Sequence, residues 1–295
     1  MDQAENLRKR VKKEKRQRKI AKIITITSGK GGVGKTSIAV NLALALHRKG
    51  IKVIILDGDF GLSNIEIMLG IRPKYNLADL MFRGKDLTDI ITEGPEGIGF
   101  ISGGSGIQEL ANLSRDQILY LISKLIELDE IADVIIIDTG AGINDTVMEF
   151  VAASSELLLI ATPEPTSITD SYALLKALNR RKDYDIDGPV IKMIANQVRS
   201  YEEGEELYEK LSIVVNKFLD IQLNFLGAIP KDENVSKAVM SQKPAITQYP
   251  NSSFIKEIQG FAGQLYNKEN AVETNDKKGI AQLFTYLLGS RIKKS

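Results

Sequence analysis

The chain has 295 residues, 43% hydrophobic and 26% charged, enough for one α/β domain with a sizeable core and short appendages. It contains no cysteine, which excludes disulfides, thiolate zinc sites and cysteine-held iron–sulfur clusters. No apolar run approaches the ~18 residues of a spanning helix, and the amino terminus lacks the apolar core of a signal peptide, so a reducing cytoplasm is the simple expectation.

A net charge of +1 hides an asymmetry. Residues 1–22 hold ten Lys or Arg against Asp2, Glu5 and Glu14, a net +7; residues 277–295 hold five basic residues and no acid, so everything between sums to −11. The first segment lacks glycine and proline and favours helix, with a thin stripe of Ala4, Leu7 and Val11 that could seat on a partner. Composition equally allows a solvated basic arm.

From residue 23 onward, short apolar runs alternate with longer amphipathic ones, which predicts a mostly parallel central sheet with helices on both faces. Strands are expected at 23–27, 52–57, 99–102, 133–138, 157–162, 190–195 and 225–229, several of them nearly all Ile, Leu and Val, as suits strands buried on both sides. Helices are expected at 35–48, 115–128, 144–153, 166–180, 203–218, 234–241 and 253–266. The single histidine, His47, precedes Arg48, Lys49 and Gly50 at the end of the first helix, where basic residues face the negative helix terminus.

Between the first strand and the first helix, Gly29-Lys30-Gly31-Gly32-Val33-Gly34-Lys35-Thr36 fits G-x-x-x-x-G-K-[ST], the phosphate-binding loop. Its glycines let backbone N–H groups curl around phosphate oxygens, Lys35 reaches the β- and γ-phosphates, and the Thr36 hydroxyl can ligate Mg²⁺. Gly29 through Thr36, with Ser37, are the expected nucleotide contacts. Two strands end in aspartate: Asp57 with Asp59 two residues on, and Asp138 before Gly140-Ala141-Gly142. Ligands in open α/β sheets sit beyond the carboxyl ends of the strands, so both converge on the loop. Asp138 is expected to hold Mg²⁺ through water and Asp59 to orient the attacking water. The segment Ala195-Asn196-Gln197-Val198 supplies an amide but no aspartate to read guanine, so ATP and ADP are favoured, with Asn196, Pro230 and Asp232 as base-side contacts.

These motifs resemble the deviant Walker A loop of the MinD/ParA class of P-loop ATPases, over about residues 22–266. The resemblance implies that Lys30 crosses an ATP-sandwiched homodimer to the other subunit's phosphates, like an arginine finger. It makes Asp59 the switch I acid, Asp138 the switch II acid, and Glu164, in Thr162-Pro163-Glu164-Pro165, a cross-dimer contact near the ribose. Asp170, on the following helix, lies where such proteins bind partners.

The last segment follows a polar linker, 267–276, and sets Ile280, Leu283, Phe284, Leu287, Leu288 and Ile292 on one helical stripe with basic residues at both ends. It reads as an amphipathic helix lying on an anionic membrane; the same periodicity fits a last helix docked on its own domain. At the other terminus, Asp2-Gln3-Ala4-Glu5-Asn6-Leu7-Arg8 resembles the D-Q-A-x-x-L-R element of the FlhG (YlxH/FleN) family of MinD-like regulators of flagellar number and placement. That resemblance implies an arm that stimulates an FlhF-type GTPase, with Gln3, Leu7 and Arg8 at the contact, and a body that meets flagellar C-ring proteins. The expected organisation is therefore a partner-activating arm (1–22), an ATPase domain (23–266), a linker (267–276) and a membrane-targeting helix (277–295), in a cytoplasmic protein peripherally attached to the membrane as an ATP-bound dimer. A septum-site-determining MinD and a DNA-partition ParA ATPase are the alternatives; the −11 body makes nucleic acid a poor ligand.

Overall fold

The strand β1 (Lys22–Ser28) lies between β5 (Val134–Ala141) and β6 (Glu156–Ala161), pairing in parallel with both, so the loop that follows it opens at the middle of a sheet. The structure is a computed structural model and describes residues 20–59, 64–104, 120, 124, 126–181 and 189–266. The arm residues Gln3, Leu7 and Arg8, the linker, the six apolar tail residues from Ile280 to Ile292, and most of the helix expected at 115–128 lie outside the described residues.

Eight strands form one sheet in the order β3-β4-β2-β5-β1-β6-β7-β8, completed by β2 (Val53–Gly58), β3 (Thr92–Glu93), β4 (Gly99–Ile101), β7 (Val190–Val198) and β8 (Leu223–Pro230). All pairs are parallel except β3 with β4, as expected of a mostly parallel sheet. The principal helices are α1 (Lys35–Arg48), α6 (Asp145–Ala153), α7 (Pro165–Asn179), α8 (Tyr201–Phe218), α9 (Glu233–Met240) and α11 (Ser253–Leu265).

Alternation within the strands assigns the two faces. Ile24 and Ile26 of β1 and Leu158 and Ile160 of β6 pack with Ile38, Leu42 and Leu46 of α1 and with Ile255, Ile258 and Phe261 of α11. On the other face, Ile23 joins Leu77, Leu80 and Phe150, while Leu157 and Leu159 join Leu174, Leu178, Leu207 and Leu211. With both faces covered, a one-residue slip of any central strand would swap its two apolar sets, which fixes the register.

The helix α1 has the predicted boundaries. It ends where His47 and Arg48 occupy its last turn and Gly50 turns the chain at φ 76°. The short pieces were not expected: α2 (Asn64–Leu69), α3 (Leu77–Phe82), α4 (Leu87–Ile90), α5 (Leu128–Ile131), α10 (Ala245–Gln248) and the edge strand β3. Each is too short for a periodic signal. Two carry another: Asn76 with Asp79 and Asp86 with Asp89 form capping boxes that start α3 and α4. Among the described residues no helix is long and apolar enough to cross a membrane.

Candidate nucleotide site

The loop after β1 is built around left-handed backbone at Gly32 (φ 77°) and Gly34 (φ 94°), the latter as N-cap of α1, so its amides and the helix N-terminus open on one cleft. Gly34 has a second reason to be glycine: a Cβ there would sit 2.5 Å from Asn196 Nδ2. That amide donates to Val33 O at 2.7 Å, and Gln197 Nε2 donates to Gly32 O at 3.3 Å, so the end of β7 holds the loop from outside. Inside, Lys35 Nζ donates to Ser28 Oγ at 3.0 Å, and Ser28 Oγ donates to Lys30 O at 2.6 Å. Burial lowers the Lys35 pKa, against the pull of Asp138 and Asp59. The hydrogen bond the lysine makes here is to a neutral hydroxyl.

Phosphate-sized space lies directly over these groups. A cleft of about 560 Å³ is lined by Gly31, Gly32, Gly34, Lys35, Thr36 and Ser37, and by Asp59, Asn64 and Thr139. Asp59 is oriented by Asn64 Nδ2, which donates to its Oδ2 at 3.1 Å, and its own N–H donates to Asp57 Oδ1 at 3.1 Å. Asp138 lies within β5, three residues before its end at Ala141, because the strand runs on past the expected tip; it is fully buried, and neither carboxylate oxygen meets a partner at full hydrogen-bond geometry. Desolvation pushes its pKa up to about 7, partly offset by the neighbouring Thr36 hydroxyl and the Lys35 ammonium. Asp57 is pushed up to about 8, by burial first and by the Asp138 charge second. An orphaned buried carboxylate beside a Thr hydroxyl at a phosphate loop is the donor set a hydrated Mg²⁺ requires. Thr36 and Asp138 therefore fit the ion, which would supply neutralisation of phosphate charge.

An adjoining cleft of about 600 Å³ shares Gly32, Gly34 and Ser37 and continues over Asn196, Pro230, Lys231, Asp232 and Phe254. The base-side residues thus come together, with their polar groups largely engaged. Asp232 Oδ1 accepts from Asn234 N at 2.9 Å, and its Oδ2 accepts from Ser253 Oγ at 3.0 Å and Phe254 N at 3.3 Å. Burial works to raise the Asp232 pKa, but these donors together hold it below the usual range. Asp232 thereby joins β8, α9 and α11, and Asn196 braces the loop. Sequence reasoning gave both only a ligand contact and overlooked Ser28, Asn64, Thr139 and Gln197; Ser28, directly before the loop, was the one with a positional signal.

Lys30 and Glu164 lie outside both clefts. The Lys30 ammonium is ion-paired with the Glu164 carboxylate of its own chain and donates to Thr166 Oγ1 at 3.1 Å. Gly29 packs against the backbone of Asp170 on α7, where a Cβ would collide with the Asp170 carbonyl. The residues assigned to the dimer and to a partner thus form one surface beside the loop.

Fold and site together define a P-loop nucleotide-binding protein of the MinD/ParA type. The ParA family profile, described as NUBPL iron-transfer P-loop NTPase, matches residues 19–266. The chain is 44% identical over 230 residues to the antiactivator FleN of Pseudomonas aeruginosa, covering 78% of this chain and 81% of that protein. It is 35% identical over 269 residues to the flagellum site-determining protein YlxH of Helicobacter pylori, covering 90% of each. The structure of septum site-determining protein MinD with Mg-ADP from Pyrococcus horikoshii superposes with a TM-score of 0.65 at 22% identity, over 86% of this chain and all of that one, a likeness of fold. The chain belongs to the ParA family of P-loop NTPases, and within it to the MinD-like ATPases that include FleN and YlxH. The iron-transfer chemistry in the profile's description has no cysteine here to carry it.

Proposed function

We propose that this ATPase is a MinD-type switch: it dimerises with ATP, attaches to an anionic membrane through residues 277–295, and regulates flagellar number and placement. In this reading residues 1–22 stimulate an FlhF-type GTPase, and the body contacts flagellar C-ring proteins. Similarity to FleN and YlxH supports the flagellar setting. The observation that carries the switch is the position of Lys30, which turns away from its own phosphate cleft and rests on Glu164. A finger held outside its own site is placed to serve another copy's site.

The chain's own groups divide the work of phosphoryl transfer. Lys35 and the loop amides bind the β- and γ-phosphates; Thr36, with Asp138 through water, would hold Mg²⁺. Asp59, kept in place by Asn64 and by its backbone bond to Asp57, accepts a hydrogen bond from the attacking water. A partner copy's Lys30 then neutralises charge on the transferring phosphoryl group, so turnover is slow in the isolated chain and rises on dimerisation.

Sedimentation of the Lys30→Ala variant with and without ATP tests the reading. Nucleotide binding should be retained and the ATP-dependent dimer lost; a normal dimer would remove the role given to Lys30. A peptide of residues 1–22 should accelerate an FlhF-type GTPase, and no acceleration would remove the arm's assignment.

A further inference from the structure

The short helix α2 carries Asn64, whose amide donates to Asp59 Oδ2 at 3.1 Å, so whatever fixes α2 also fixes that acid. The apolar side of α2, Ile65, Met68 and Leu69, is buried in one cluster with Ile98, Phe100 and Leu46. Apolar burial has no direction, so it holds a helix down without setting its rotation about its own axis. Rotation is set by polar contacts, and α2 makes them on two sides.

At 3.6 residues per turn, Asn64 and Glu66 project about 200° apart, to nearly opposite sides of the helix. Asn64 reaches Asp59, while Glu66 Oε1 accepts from Ser102 Oγ at 2.7 Å, on the residue that follows β4. Ser102 is 3% exposed and is itself fixed: its Oγ accepts from Gly104 N at 3.1 Å and its carbonyl accepts from Leu77 N at 3.4 Å. A hydroxyl has one hydrogen, and with the Gly104 amide on a lone pair that hydrogen is left for Glu66. A hydroxyl bonded to a carboxylate is charge-assisted, among the stronger side-chain bonds. Glu66 does not line the phosphate cleft, whereas Asn64, Ile67 and Met68 of the same helix do, so it can act there only through them.

We propose that Glu66 is a positioning residue for hydrolysis: bonded to Ser102, it sets the rotation of α2 and, through Asn64, aims the Asp59 carboxylate at the attacking water. The inference rests on the reading that Asp59 orients that water. At a side-chain radius of about 5–6 Å, a rotation of about 10° moves the Asn64 amide by about 1 Å. Misplacement of that size costs a reaction up to about a hundredfold. Asp59 keeps its backbone bond to Asp57 when α2 turns, so the loss is partial.

The test is steady-state ATPase turnover and ATP affinity of the full chain, for Glu66→Ala, Ser102→Ala, the double variant and Glu66→Gln, with Asp59→Ala alongside. Glu66→Ala and Ser102→Ala should each lower kcat about tenfold while ATP affinity stays within about twofold, which also shows the variants folded. The double variant should be no slower than either single one, because the same bond is lost in all three. Glu66→Gln keeps an acceptor for the Ser102 hydroxyl and should restore kcat to within about threefold of the unsubstituted chain. A role in stability alone would make the two losses multiply or would lower affinity and rate together, and either result would overturn the inference. So would a rate that recovers at high protein concentration, which would place the defect in dimerisation. Normal turnover by Asp59→Ala would remove the reading of Asp59 itself. A slow Asp59→Ala beside normal Glu66→Ala and Ser102→Ala would overturn this inference alone.

Discussion

Among the carboxylates buried in this sheet, Glu156 at one end and Asp138 towards the other are treated differently. Glu156 is closed by Lys22 and Lys192 and sits where Lys22 also meets the end of α11. Asp138 is more deeply buried, has the Thr36 hydroxyl and the Lys35 charge beside it but no ion pair among the described residues, and is pushed up to about 7. A buried charge that serves the fold is paired; one left open is kept for something absent from the polypeptide. The contrast separates the structural end of the molecule from the chemical end without reference to any motif.

Four measurements would break or sharpen it. The largest effect should come from Asp138→Asn, which lowers kcat by about 10²–10³-fold while leaving the apo chain at least as stable at pH 8, by steady-state ATPase assay and urea unfolding. Glu156→Gln should do the reverse: about 3 kcal/mol of stability lost, because two lysines are left facing a neutral amide, with nucleotide affinity retained. If Asp138→Asn unfolds the chain and Glu156→Gln does not, the assignment of the two ends is wrong.

The third is a pH series on the chain free of nucleotide and metal. Asp57 and Asp138, raised to about 8 and about 7, keep protons in the folded state that the unfolded chain releases near pH 4. Their contribution is fully present below pH 4 and is lost as pH rises through the folded values. Stability should therefore fall from about pH 5 to 8, by at most about 1.4 kcal/mol per pH unit for each group. Asp57→Asn should flatten the upper part of that slope, and an unchanged slope would mean Asp57 is ionised in the fold. The smallest effect belongs to Asn196→Ala, which frees Val33 O and should weaken nucleotide binding about fivefold, as one lost hydrogen bond allows, by fluorescence titration.

What could be read in advance follows length scale. The runs that became β1, β2, β5 and β6 are short stretches dominated by Ile, Leu and Val, and α1 has a loop at one end and Gly50 at the other, so they were legible. The pieces between β2 and β4 are two to six residues long and are held by capping boxes and contacts from elsewhere in the chain. The phosphate loop and the placing of Asp59 and Asp138 beside it were legible because strands of an open parallel sheet deliver their ends to one edge. Gln197 was not, because it acts on Gly32, 165 residues away in the chain; Asn64 and Ser28 act on Asp59 and Lys35 close by in sequence, but no motif spacing marks Asn64, and only its place before the loop marks Ser28. Lys30 was legible as an anomaly, but its resting place on Glu164, 134 residues away, was not.

Gly29 leaves no room for a side chain between the first residue of the phosphate loop and the backbone of α7 at Asp170. Close-packed atoms transmit displacement instead of absorbing it. A displacement of α7 at Asp170 would therefore be felt first at the start of the phosphate loop.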